Sequence, residues 1–222
     1  MSGLQPFGLV FALFVALGLF IGLTVREIAR ARMAVLLGDP TPRLWGRLSL
    51  DPRSWFDPFG SGFVPGLIVF LIAMSAPYVP PFAYAKPAPI ETRYLKHGPR
   101  DVVLVSCAGP AANIAFALLP GLWLRAAAPE GNLGRLLLAL LISNLSLAIV
   151  HLLPIPGLDG ARMVGLLLHG RPKELYRDLD AYLPLFALAF FLVFGLFLGN
   201  TVWKITLTLC RWIAGPTLFP GL

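Results

Sequence analysis

Charge, cysteine and histidine are all scarce in this chain. Only 13% of its 222 residues are charged, and Asp and Glu together number 11. A soluble globular domain carries about 25% charged residues, so the shortage excludes that class. Two cysteines, Cys107 and Cys210, with no CxxC pair, exclude a disulfide framework and a thiolate zinc site. Both read as packing residues. The three histidines are His97, His151 and His169, and none stands at helical spacing from another. The absence of an internal repeat argues against a channel or transporter built from two related halves. No low-complexity segment is present.

Apolar residues fill the space that charge leaves. They make up 57% of the chain, and the mean hydropathy is +0.78. That composition points to an all-α polytopic membrane protein, a single membrane domain over residues 1–222. The net charge of +7 comes from Lys and Arg scattered through loops, with no RNA-reading module. Basic loops facing anionic lipid explain it, so the lipid bilayer is a partner and nucleic acid is not.

The first helix is expected over residues 7–37, retained rather than cleaved as a signal peptide. Gly38-Asp39-Pro40 stops it. LWGRLSL alternates well enough for a short surface strand, and the Asp-Pro pairs at 51–52 and 57–58 mark turns. Residues 63–78 are apolar but carry Pro65 and Pro77. PYVPPFAYAKPAPI then places five prolines in fourteen residues, which cannot be regular helix. It reads as irregular or re-entrant backbone. Further spans are expected at 102–123, at 133–153 and at Tyr182–Val202, with Trp203 and Trp212 anchoring an interfacial tail. Residues 151–163, HLLPIPGLDGARM, break the helical pattern at paired prolines.

The most informative stretch is VREIARAR at 25–32. It puts Arg26, Glu27, Arg30 and Arg32 on consecutive turns near the end of an apolar helix. Ionisable groups at membrane depth are expensive, and by default they mark a functional site. Arg26 and Arg30 are one turn apart with a carboxylate at 27, the spacing of the HExxH zinc motif with arginine at both histidine positions.

Taken in order, REIARA, LGDPTPRLWGRLSLDP, FDPFG, AYAKPAPI, RDVVLVSCAGPAAN and HLLPIPGLDGARM resemble the site-2 proteases. These are intramembrane zinc metalloproteases, and the likeness is to their short bacterial branch. It covers residues 8–170 and leaves 181–222 as a C-terminal span and tail. In active members two histidines and a distal aspartate bind zinc, and a glutamate activates the bound water. By position the resemblance puts the histidines at Arg26 and Arg30, the base at Glu27 and the aspartate at Asp159. The family's asparagine falls on His151, and the histidine of its His-Asp-Pro turn falls on Phe56. Lys86, Pro87 and Asn113 fall where the family lines its substrate groove.

Guanidinium has no lone pair to give and stays protonated, so Arg26 and Arg30 cannot ligate a metal. Without metal, Glu27 is a vestigial base with no activated water. The expectation is a non-catalytic protein without zinc. In it the two arginines replace the metal as an electrostatic staple, and at least one pairs with Asp159. It would bind or scaffold a transmembrane helix of another protein, as an accessory subunit of a larger membrane complex. The alternative is an active zinc-dependent endopeptidase with altered ligands, using His151, Asp159 and Glu27.

Residues 26–30 and Asp159 can share a site only if the first and third spans run in the same direction. That requires residues 58–92 to enter and return on one side, giving about four full spans and one re-entrant hairpin. Loops 38–57, 86–100 and 161–180 then share a side with eleven Lys and Arg, against two in 124–135. The basic side is expected to be cytoplasmic, in a bacterial inner membrane.

Overall fold

The computed structural model describes residues 8–74, 80–86, 88–166, 168 and 199–216. Three helices among them are long and apolar enough to cross a membrane: α1 (Leu9–Leu36), α4 (Pro99–Ala127) and α5 (Gly131–His151). Shorter helices are α2 (Thr41–Leu44), α3 (Val64–Ala73), α6 (Asp159–Gly165) and α7 (Gly199–Ala214). No strand occurs among the described residues. This is an all-α polytopic membrane protein.

The α1 helix ends one residue before the expected boundary. Gly38 takes φ +113°, and a Cβ there would stand 2.9 Å from the Tyr94 carbonyl, so the stop has both a conformational and a packing reason. The buried Asp39 side chain then ties two loops together. It accepts the backbone N–H of Thr41 at 2.9 Å and of Glu91 at 2.8 Å.

The expected surface strand at LWGRLSL is corrected. Pro42 opens the one-turn helix α2, and Trp45 and Arg47 donate backwards to the carbonyls of Thr41 and Pro42. Alternation alone does not make a strand when no second strand lies alongside to take its backbone hydrogen bonds. The Asp-Pro turns do form. Asp51 accepts from Arg53 N at 2.9 Å and Asp57 from Gly60 N at 2.6 Å, each capping a short turn of 3₁₀ or π helix.

The ten-residue helix α3 spans roughly 15 Å at 1.5 Å per residue, half of a hydrocarbon core. The chain returns to where it left. Tyr84 N donates to Gly60 O at 3.1 Å, and Lys86 N donates to Trp55 O at 2.8 Å. Gly60 is needed for that approach, because a Cβ there would meet the Tyr84 ring at 2.3 Å. The excursion therefore begins and ends at one place, as a hairpin does.

The direction of the long helices follows from their contacts. A Cβ on Gly18 would touch Ser143, and one on Gly22 would touch Leu147 and Asn144. Ser143 also donates to Val15 O at 3.2 Å. Positions rise together on α1 and α5, so the two helices are parallel, as the shared site requires. The α4 helix continues through Pro110 and Pro120, which neighbouring helices can support in a membrane protein. Of the expected last span at 182–202, only residues 199–202 are described. They begin α7, which continues past Trp203 and Trp212 to Ala214 and packs on α4 and α5.

Candidate functional site

The ends of α1 and the beginning of α6 bring four charged side chains together. Arg26, Glu27, Arg30 and Asp159 are each at most 3% exposed. Arg26 donates from Nη1 to Glu27 Oε1 and from Nη2 to Asp159 Oδ2. Arg30 Nη1 stands 3.2 Å from Glu27 Oε1, and Arg30 Nε stands 3.2 Å from Asp159 Oδ1. Each carboxylate thus sits between two guanidiniums. Arg32, two residues on, is exposed.

Local backbone explains the assembly. Helical spacing puts residues 26, 27 and 30 on one patch of α1. Asp159 is delivered by the proline break, after which α6 begins. Gly160 lets the turn close, because a Cβ there would lie 2.1 Å from Leu152 O. Gly109, in the AGPAAN segment of α4, makes room for the arginine stems. A Cβ on it would come within 2.8 Å of Arg26 Cγ and 3.1 Å of Arg30 Cδ. The arginine stems are thus what this segment of α4 packs against.

Arg47 was not singled out from the sequence, yet it adjoins the site. Its Nη1 donates to Lys86 O at 3.2 Å, and its charge interacts with that of Glu27. Burial pushes its guanidinium down from the usual range, and Glu27 pulls it back up. A basic residue in a loop carries no signal of burial, so only the returning hairpin reveals it.

The remaining sequence candidates divide. His151 is buried at the end of α5, its Nδ1 2.8 Å from Leu147 O and its ring 5.6 Å from that of Phe82. The charges of Arg26, Asp159 and Arg30 all act on it. Asn113 is fully buried, and neither of its amide atoms has a hydrogen-bond partner among the described residues. The side chain of Lys86 is exposed, while its backbone joins the hairpin. Pro87 lies outside the described residues, as does His169. Phe56 is 43% exposed.

The residues gathered here do not fit zinc. Zinc takes its lone pairs from imidazole, thiolate or carboxylate, commonly three or four in fixed geometry. Here both carboxylates are engaged by guanidinium, and those cations would repel a dication. Among the described residues no group of three His, Cys, Asp or Glu stands in a metal-holding arrangement.

Parallel spans and a buried ionic centre at the proline break define a polytopic helical membrane protein with a charged core. Over 161 residues the chain is 32% identical to "Putative zinc metalloprotease YwhC" of Bacillus subtilis (strain 168), covering 68% of this chain and 67% of that protein. Over 195 residues it is 34% identical to "Putative zinc metalloprotease Rip2" of Mycobacterium tuberculosis (strain H37Rv), covering 87% of this chain and 69% of that protein. No family model matches, and no solved structure matches. The chain belongs to the zinc metalloprotease family of these relatives, of the site-2 protease type.

Proposed function

We propose that this chain is a catalytically inactive site-2-protease-like membrane protein that binds or scaffolds a transmembrane partner, as an accessory subunit of a larger membrane complex. One observation carries the reading. The residues at the histidine positions of the resemblance, Arg26 and Arg30, are buried and paired with the acids at its base and aspartate positions, Glu27 and Asp159. The two guanidiniums supply to these carboxylates the positive charge that a metal would otherwise supply. The pairing supports a staple between α1 and α6 that preserves the scaffold after hydrolysis is lost. With the metal site gone, the retained hairpin and its groove are left as a surface for a helix. The basic loops support an orientation with this end at the cytoplasmic face of a bacterial inner membrane.

Zinc stoichiometry of the purified protein tests the reading, beside the double variant Arg26→His and Arg30→His. No zinc in the natural chain, and zinc gained by the variant, is the expected result. Near-stoichiometric zinc in the natural chain overturns it. That outcome would point to an active endopeptidase using His151, Asp159 and Glu27.

A further inference from the structure

Among the described residues the ionic centre is short of negative charge. Arg26, Arg30 and Arg47 are all buried, three cations against the two carboxylates of Glu27 and Asp159. Donors are also left over. Arg26 Nε and Arg30 Nη2 are buried without a hydrogen-bond partner among the described residues, and Arg30 Nε has only the ion-pair distance to Asp159. Arginine presents five N–H groups, and a buried guanidinium normally finds acceptors for them.

Several other described acids are already committed elsewhere. Asp39 accepts two backbone N–H groups, Asp57 caps Gly60, Asp101 pairs with His97 and Glu91 with Arg93. None of these can supply the missing charge without abandoning its own partner. Arg26 and Arg30 lie within the span Leu9–Leu36, so an added anion must be presented at membrane depth. A transmembrane segment brings an acid there, and its acid is in turn expensive in lipid unless it meets a cation.

We propose that the partner helix carries an Asp or Glu near its cytoplasmic end, and that this carboxylate docks on the surplus donors of Arg30, beside the charge of Arg47. The proposal rests on the scaffold reading and adds a specificity rule to it. An acid-bearing helix binds, and its neutral isostere binds weakly. Guanidinium suits the role because it offers a carboxylate two parallel N–H bonds.

The test uses the full chain in phosphatidylcholine nanodiscs and two labelled synthetic Leu/Ala helices of about 21 residues. The helices differ only in one Asp or Asn near the cytoplasmic end. Energy transfer reads their affinities. The expected result is about tenfold tighter binding of the Asp helix, the worth of one good charge pair at depth. In Arg30→Gln and in Arg47→Gln the preference should fall to about twofold or less. Arg47→Gln keeps the test readable if Arg30→Gln fails to fold. Equal binding of both helices sinks the acid rule but leaves the scaffold reading standing. Binding of neither helix removes both. A preference that survives in both variants seats the acid elsewhere and overturns the proposal. So does its loss on adding phosphatidylglycerol, which would identify a lipid headgroup as the occupant.

Discussion

Arg30 Nε stands 3.2 Å from Asp159 Oδ1, joining the last turns of the first span to the first residue of α6. Together with the Arg26 pair to the same carboxylate, this contact closes the far ends of the chain's core onto one another. Its energetic character is set by burial. In water such pairs are worth little, but inside a protein the loss of one member strands the other.

Asp159→Asn should therefore be among the most damaging single changes, with a loss of about 3–5 kcal/mol from stranded guanidinium charge. Thermal denaturation in detergent measures it. Glu91→Gln is the control. Its pair with Arg93 spans 3.6 Å between exposed side chains, so the change should lie within about 1 kcal/mol of the natural chain. Equal losses in the two variants would mean that the buried centre is not structurally important.

Two glycines should respond in opposite senses to alanine. Gly160→Ala pushes a Cβ to 2.1 Å from Leu152 O, a backbone atom that cannot swing away, and should prevent the proline break from closing. Gly66→Ala, in α3, meets nothing within 4 Å and should gain up to about 1 kcal/mol from helix propensity. Melting temperatures of the pair give the comparison.

Gly109→Val tests the packing of α4 on the arginine stems. Even the first carbon would sit 2.8 Å from Arg26 Cγ, so the helices must part or the arginines must move. Overpacking of this kind costs about 1–3 kcal/mol. If the arginines are what moves, the double variant with Arg26→Ala should recover part of the loss.

Asp39→Ala removes both acceptors that hold the loop after α1 to the loop before α4. Each is a part-buried bond to a charged acceptor, of a class that contributes about 1.5–3 kcal/mol. Limited proteolysis should show faster cleavage around residues 88–98, with the long helices protected. An unchanged digestion pattern would mean that the tie is dispensable.

Orientation can be read with single cysteines in a Cys107→Ser, Cys210→Ser background. Arg93→Cys should be protected from an impermeant maleimide in intact cells and labelled in inverted membranes. Glu130→Cys, in the loop between α4 and α5, should behave in the opposite way. The reverse pattern would invert the assigned topology.

Much of the plan was legible in the chain itself. The three long helices fall within a few residues of the expected spans, because hydropathy is a local property and Gly38 and Pro99 punctuate it. VREIARAR declared itself because charge in an apolar helix demands partners. The surface strand at LWGRLSL was misread because alternation specifies a strand only when a neighbour pairs with it, and Pro42 favoured a helical turn instead. Arg47 was missed because nothing local distinguishes a loop arginine that will be buried by a returning hairpin.

The sequence by itself determined the membrane class, the positions of the spans and breaks, and the chemistry available at the centre. Each follows from side-chain polarity, helical spacing or backbone restriction at one place in the chain. The tertiary structure alone decided which guanidinium meets which carboxylate and that Arg47 joins them. It also decided that α1 and α5 run parallel through Gly18 and Gly22. Such contacts depend on close approach between segments remote in sequence, and close approach is settled only when all the packed surfaces are satisfied together.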